Sequence, residues 1–203
     1  MQILKKSVKL AIEKTALKLF AARGYDNTTM AEIAAAAGIS TGNIYHYHAN
    51  KEELLYAVIP ESFVELCLQT IKSKVALVRG MSSQQIAGSK ELRLGNEMLM
   101  KFCLTHRHKI LVLMRECSGT RLAGFRDIVR QKIMESVHEH LASLSESSPG
   151  RRNEPDQLLL ATVYDNLMNA STAILAADTT EKQRKVALEK LLDYHLKGMA
   201  AIC

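Results

Sequence analysis

The sequence predicts an all-α chain of about nine helices. Three observations lead there. Ala, Leu, Lys, Glu and Met, all good helix formers, dominate the chain. Apolar residues recur three and four positions apart along most of it, and strand-like alternation is nearly absent. With 203 residues, 47% hydrophobic and 24% charged, the chain is long enough for one domain, or two small ones, with a real core.

The elements follow in order. Val8, Ile12, Thr15, Ala16, Leu19 and Phe20 share a helical stripe, so a first helix is expected over 5–23, ended by Gly24. Thr29 and Glu32 have capping-box spacing and open a short second helix that runs to about 37, with Gly38 closing it. Ser40 is placed to cap a third helix over 41–47. Asn50-Lys51-Glu52-Glu53 is a further capping signature. It opens a long helix to about Val78, in which Pro60 predicts a kink or break because it removes a backbone donor and crowds the preceding turn. A break is expected at Gly80–Ser83. Helices are then expected over 84–105, 106–116 and 122–145, a polar linker over 146–155, and two last helices over 156–177 and 180–200.

Composition narrows the function. The formal charge is +6 and the pI about 9.1, compatible with an anionic partner without proving one. Residues 1–51 hold seven basic side chains (Lys5, Lys6, Lys9, Lys14, Lys18, Arg23, Lys51) against three acidic ones (Glu13, Asp26, Glu32), a net +4. The four cysteines, Cys67, Cys103, Cys117 and Cys203, are far apart and read as reduced thiols in or near a core. No 18-residue apolar run predicts a membrane span and no signal peptide is legible, so a cytoplasmic protein is expected. His106 and His108, like His138 and His140, are two apart and leave a helix in different directions, so no metal site is expected. No nucleophile–base pair, phosphate loop or cofactor motif is present. An enzyme is not expected, nor a cofactor.

Residues 29–47 have the shape of a helix-turn-helix, whose second helix enters the DNA major groove. Its first turn, Ser40, Thr41, Gly42 and Asn43, is small and polar. Gly42 lets the backbone approach closely, and Asn43 can make the paired hydrogen bonds that suit adenine. Ile44 and His48 share the face directed at the core. Tyr45 and His46 turn elsewhere, towards phosphates, and Lys51 adds charge at a helix N-terminus.

The stretch LKLFAARGYDNTTMAEIAAAAGISTGNIYHYHANKEELL resembles the TetR family of bacterial transcriptional regulators. The likeness lies in its apolar helix, Gly-Tyr, Thr-Thr, Ile-Ala, Ala-Gly, a glycine two residues before an aliphatic-Tyr pair, and Lys-Glu-x-Leu, over about residues 8–56. The resemblance implies a helix-turn-helix DNA-binding domain over 1–50 and a ligand-binding and dimerisation domain over 51–203. It implies DNA contacts by Thr29, Ser40, Thr41, Gly42, Asn43, Tyr45, His46, Lys51 and, more weakly, Tyr47. The family usually has phenylalanine where this chain has His48, which is expected to be a half-buried, hydrogen-bonded core residue; the alternatives are a phosphate contact or a pH-sensitive helix.

Met stripes read first as core filling. Through the resemblance, Phe63, Cys67, Met98, Phe102, Met114, Tyr164 and Asn169 become candidates for a small-molecule site among the middle helices. The stripe Leu188, Leu191, Leu192, His195 and Met199, with Leu167, Ala170, Ile174 and Ala177 on the preceding helix, fits a dimeric bundle or intrachain packing. The resulting expectation is a homodimeric repressor that binds a double-stranded DNA operator and is released by a small-molecule effector. The alternative is a DNA-binding regulator controlled by a protein partner, or without an effector.

Overall fold

The computed structural model describes residues 2–77, 85, 89–147 and 157–202; the predicted break at Gly80–Ser83 and most of the predicted linker lie outside them. Among the described residues the chain has ten helices and no strand. They are α1 (Gln2–Arg23), α2 (Met30–Ala36), α3 (Thr41–Ile44), α4 (Lys51–Val58), α5 (Glu61–Ala76), α6 (Lys90–Thr105), α7 (Arg107–Leu113), α8 (Phe125–Ser147), α9 (Gln157–Ala176) and α10 (Glu181–Ile202).

One difference from expectation concerns the end of an element. The third helix stops at Ile44, and Tyr45–Tyr47 continue as a turn with Tyr47 N–H donating to the Ile44 carbonyl. Gly42 at the second position lowers the helix propensity of this segment. The break expected at Pro60 is present: it divides the long helix into α4 and α5, bent by 48°. Ile59 leaves helical geometry at φ −124°, ψ 75°, as a residue before proline is pressed to do.

The chain divides into two compact units. The first holds residues 1–66 and 106–126, so the expected boundary at residue 50 lies inside it. Here α1 packs on α2, α4 and α7, and α2 packs on α3. Ile12, Ala16, Phe20, Ile33, Ala34, Ile44, Leu54 and Leu55 are wholly buried. Each large aliphatic or aromatic side chain in that set is worth about 1.5–3 kcal/mol of transfer free energy. The loop after α7 is tied back to the N-terminal helices. Ser118 Oγ donates to Asp26 at 3.1 Å, and Arg121 N–H donates to the Tyr56 hydroxyl at 3.0 Å while its guanidinium lies 3.9 Å from that ring's centroid.

The second unit holds residues 67–105 and 127–203. In it α10 packs on α9 and α6. Leu92, Met100, Val129, Leu160, Met168, Leu175 and Leu188 are buried, and Arg130 pairs with Asp165 at 3.5 Å. The His195 ring stands edge-on to Tyr164 at 5.0 Å. Burial, with the Lys74 ammonium adding to it, pushes the His195 imidazole down to about 4. No single described helix is long and apolar enough to cross a membrane.

Candidate nucleic-acid interface

The interface is built on three N-caps. Thr29 Oγ1 accepts from Glu32 N–H at 3.2 Å, and Glu32 Oε2 accepts from Thr29 N–H at 2.8 Å, a closed capping box at the start of α2. Arg23 adds an ion pair to Glu32 at 3.1 Å. Thr29's two hydrogen bonds and Arg23 hold the Glu32 carboxyl below its ordinary range. Ser40 Oγ accepts from Asn43 N–H at 3.3 Å and opens α3. Asn50 Oδ1 accepts from Glu53 N–H at 2.7 Å and opens α4, while Glu53 Oε2 reaches past the cap to accept from Ala49 N–H at 2.8 Å.

The turn between α2 and α3 fixes their crossing. Ile39 N–H donates to the Ala34 carbonyl and Gly38 N–H to the Ala35 carbonyl, the paired bonds of a Schellman motif. Gly38 has φ +72°, a conformation that costs a side-chain-bearing residue energy.

On this frame α3 has two faces. Ile44 and His48 are turned inward, at 0% and 1% exposure. Ser40, Thr41, Gly42, Asn43, Tyr45 and His46 are exposed, as is Thr29; Tyr47 and Lys51 are half-buried. A Cβ added at Gly42 would meet no atom within 4 Å, so the chain's own packing does not require glycine there. Helix propensity argues against it as well, by about 1 kcal/mol relative to alanine. A glycine that the protein's own packing does not need leaves room for something outside.

Lys51 is more engaged than its sequence position suggests. Its ammonium donates to the Tyr25 carbonyl at 2.9 Å and lies 4.1 Å from the centroid of the Tyr25 ring. It therefore pins the N-terminus of α4 to the segment between α1 and α2. Of its three N–H donors this uses one.

Residues 12–58 match the family described as bacterial regulatory proteins, tetR family. This segment, which holds α2, α3 and α4, belongs to the TetR family. One relative is an uncharacterized HTH-type transcriptional regulator, YuxN, of Bacillus subtilis (strain 168), 30% identical over 152 residues, 75% of this chain and 49% of that protein. A second, the fatty acid metabolism regulator protein of the same organism, is 29% identical over 101 residues, 45% of this chain and 52% of that protein. The chain thus spans about half the length of these curated relatives. Among solved structures, a TetR-like transcriptional regulator from Rhodococcus sp. RHA1 shares the fold with a TM-score of 0.52 at 22% identity, covering 95% of this chain and 96% of that one.

The residues expected around a ligand fall in both units. Phe63 and Met114 belong to the first, where Phe63 meets the His106 ring edge-on at 5.2 Å and the Lys109 ammonium at 4.7 Å. Cys67, Met98, Phe102, Tyr164 and Asn169 belong to the second. Cys67 is buried, Phe102 and Tyr164 are half-buried, and Met98 and Asn169 lie at the surface. Sequence reasoning missed Tyr25, Glu13 and Glu53. Only Glu53 left a signal, three residues after the Asn50 cap. His48, expected to be half-buried and hydrogen-bonded, is fully buried, and neither ring nitrogen has a hydrogen-bond partner among the described residues.

Proposed function

We propose that the chain is a sequence-specific DNA-binding transcriptional regulator, a homodimeric repressor released by a small-molecule effector. The observation that carries this reading is the exposed tip Ser40–Asn43, capped and held by buried Ile44 and His48, with a glycine that internal packing does not need. Ser40, Thr41, Gly42 and Asn43 would face base edges, Asn43 with the donor–acceptor pair that suits adenine. Thr29, Tyr45, His46 and, at the margin, Tyr47 would contact phosphates, which position the protein without reading sequence. Lys51 would contribute a phosphate contact through donors that Tyr25 does not use.

Dimerisation is supported by apolar side chains left at the surface of the last two helices, Leu158, Leu159, Val186 and Tyr194. Two recognition helices would then meet half-sites about 34–36 Å apart, one turn of DNA. A small-molecule effector would act on that spacing through α4 and α5, joined at Pro60. A coupling of about 1–3 kcal/mol changes occupancy 5- to 150-fold. The relative named for fatty acid metabolism makes fatty acids and their thioesters the first effector class to test.

Selecting bound duplexes from random DNA, with and without such effectors, tests the reading. It expects one enriched motif with two related halves, and loss of binding when the right effector is added.

A further inference from the structure

His48 lies beneath the recognition helix, 1% exposed, between two helices that each present a carboxylate. Its Nε2 is 3.6 Å from Glu13 Oε1 on α1, and its Nδ1 is 3.8 Å from Glu53 Oε1 on α4. Both separations exceed a hydrogen bond, which closes by about 3.2 Å, and both ring nitrogens are buried without a hydrogen-bond partner among the described residues. Neither carboxylate is idle. Glu13 also faces Lys9 at 3.9 Å, and the second oxygen of Glu53 holds the Ala49 N–H. The charged groups around the ring are therefore Lys9 and Glu13 from α1 and Glu53 from α4, while Glu32 on α2 is committed to Thr29 and Arg23. A neutral ring fills the buried space beneath α3. A charged one would lose its hydration and gain two acceptors set too far away.

We propose that His48 makes the seating of the recognition helix proton-sensitive, with acid favouring release of the α3–α4 corner from α1. Burial pushes the imidazole below its ordinary 6.5; Glu13 pulls it up, Lys9 pushes it down and Glu53 pulls it up, and burial wins. The seated state thus binds fewer protons than an opened one, in which His48 meets water. Its stability is fully present above about pH 6.5 and is lost as pH falls through the lowered value of the seated state. For one proton, the opening constant rises at most about tenfold per pH unit. Glu13 moderates the effect, because its carboxylate favours the imidazolium. Release of the corner would unseat Ser40–Asn43, and only this consequence rests on the proposed DNA-binding function.

The test uses the full chain without DNA. The His48 ring carbon is followed by NMR from pH 8 to 5, and amide exchange of residues 41–48, corrected for intrinsic rates, is compared with His48→Phe. The expected midpoint is below 6.5 and falls further in Glu13→Gln. Opening should grow up to about tenfold per pH unit in the parent below pH 6.5, more steeply in Glu13→Gln, and not in His48→Phe. A midpoint at or above 6.5, a midpoint that Glu13→Gln leaves in place, or the same pH dependence of opening in parent and His48→Phe overturns the proposal. If His48→Phe does not fold, the midpoint and its response to Glu13→Gln still decide. A switch that behaves as stated in a protein showing no DNA selectivity would leave this inference standing and remove the DNA-binding reading.

Discussion

The Lys51 ammonium donates to the Tyr25 carbonyl at 2.9 Å and stands 4.1 Å from the centroid of the same residue's ring. Twenty-six positions separate the two, and the contact fastens the N-terminus of α4 beside the entrance to α2. A side chain expected to serve only phosphate is thus also a structural tie.

Removing it should therefore have two effects. A charge-assisted hydrogen bond and a cation–π contact at a half-buried site together make Lys51→Ala cost about 1–2 kcal/mol. If a remaining donor also meets a phosphate, the slope of log affinity against log salt should fall in magnitude by about 0.9. Chemical denaturation and a salt series on the same variant measure the two separately. Tyr25→Leu should lose stability through the missing ring while leaving the slope unchanged.

The α2 capping box makes a prediction about acid. Thr29→Ala should destabilise the first unit by about 1 kcal/mol at neutral pH. The Thr29 backbone N–H, which the variant keeps, and then its hydroxyl, which the variant loses, hold the Glu32 carboxyl below its ordinary range. A lowered carboxyl adds stability that is present above about pH 4.5 and lost as pH falls through the lowered value. The penalty of Thr29→Ala should accordingly shrink on acidification into that window, as read by denaturation midpoints at several pH values.

Pro60 separates two helices that would otherwise run together. Pro60→Ala restores a backbone donor and removes the clash that bends the chain by 48°. On the proposed coupling, this variant should change the effector concentration needed to release DNA while keeping its operator sequence. Titration of effector against preformed complex measures that. An unchanged release curve would take Pro60 out of the coupling.

Much of this fold was legible from local chemistry. Thr29 with Glu32, Ser40, and Asn50 with Glu53 announce helix starts through short-range hydrogen bonds, and Pro60 announces the break between α4 and α5. All of these act within four residues, a range that spacing alone can report. What stayed hidden depends on distant chain segments meeting. The Lys51–Tyr25 tie, the Ser118–Asp26 bond and the place of His48 between Glu13 and Glu53 leave no periodic signal. Ile44 and His48 could be assigned to the inner face from their four-residue spacing. That the ring nitrogens of His48 would find no partner could not. The end of α3 at Ile44 was also missed, because apolar and aromatic residues continue to Tyr47 after the helix has stopped.

Asn43→Ala in a selection from random duplex DNA tests the central claim most directly. The parent should enrich a motif with two related halves. Asn43→Ala should relax one position in each half, at a cost of about 1–3 kcal/mol for the preferred base, and keep the parent's salt slope. An identical motif from parent and variant would contradict the base-reading role of the α3 tip. No enriched motif from the parent would contradict the account as a whole.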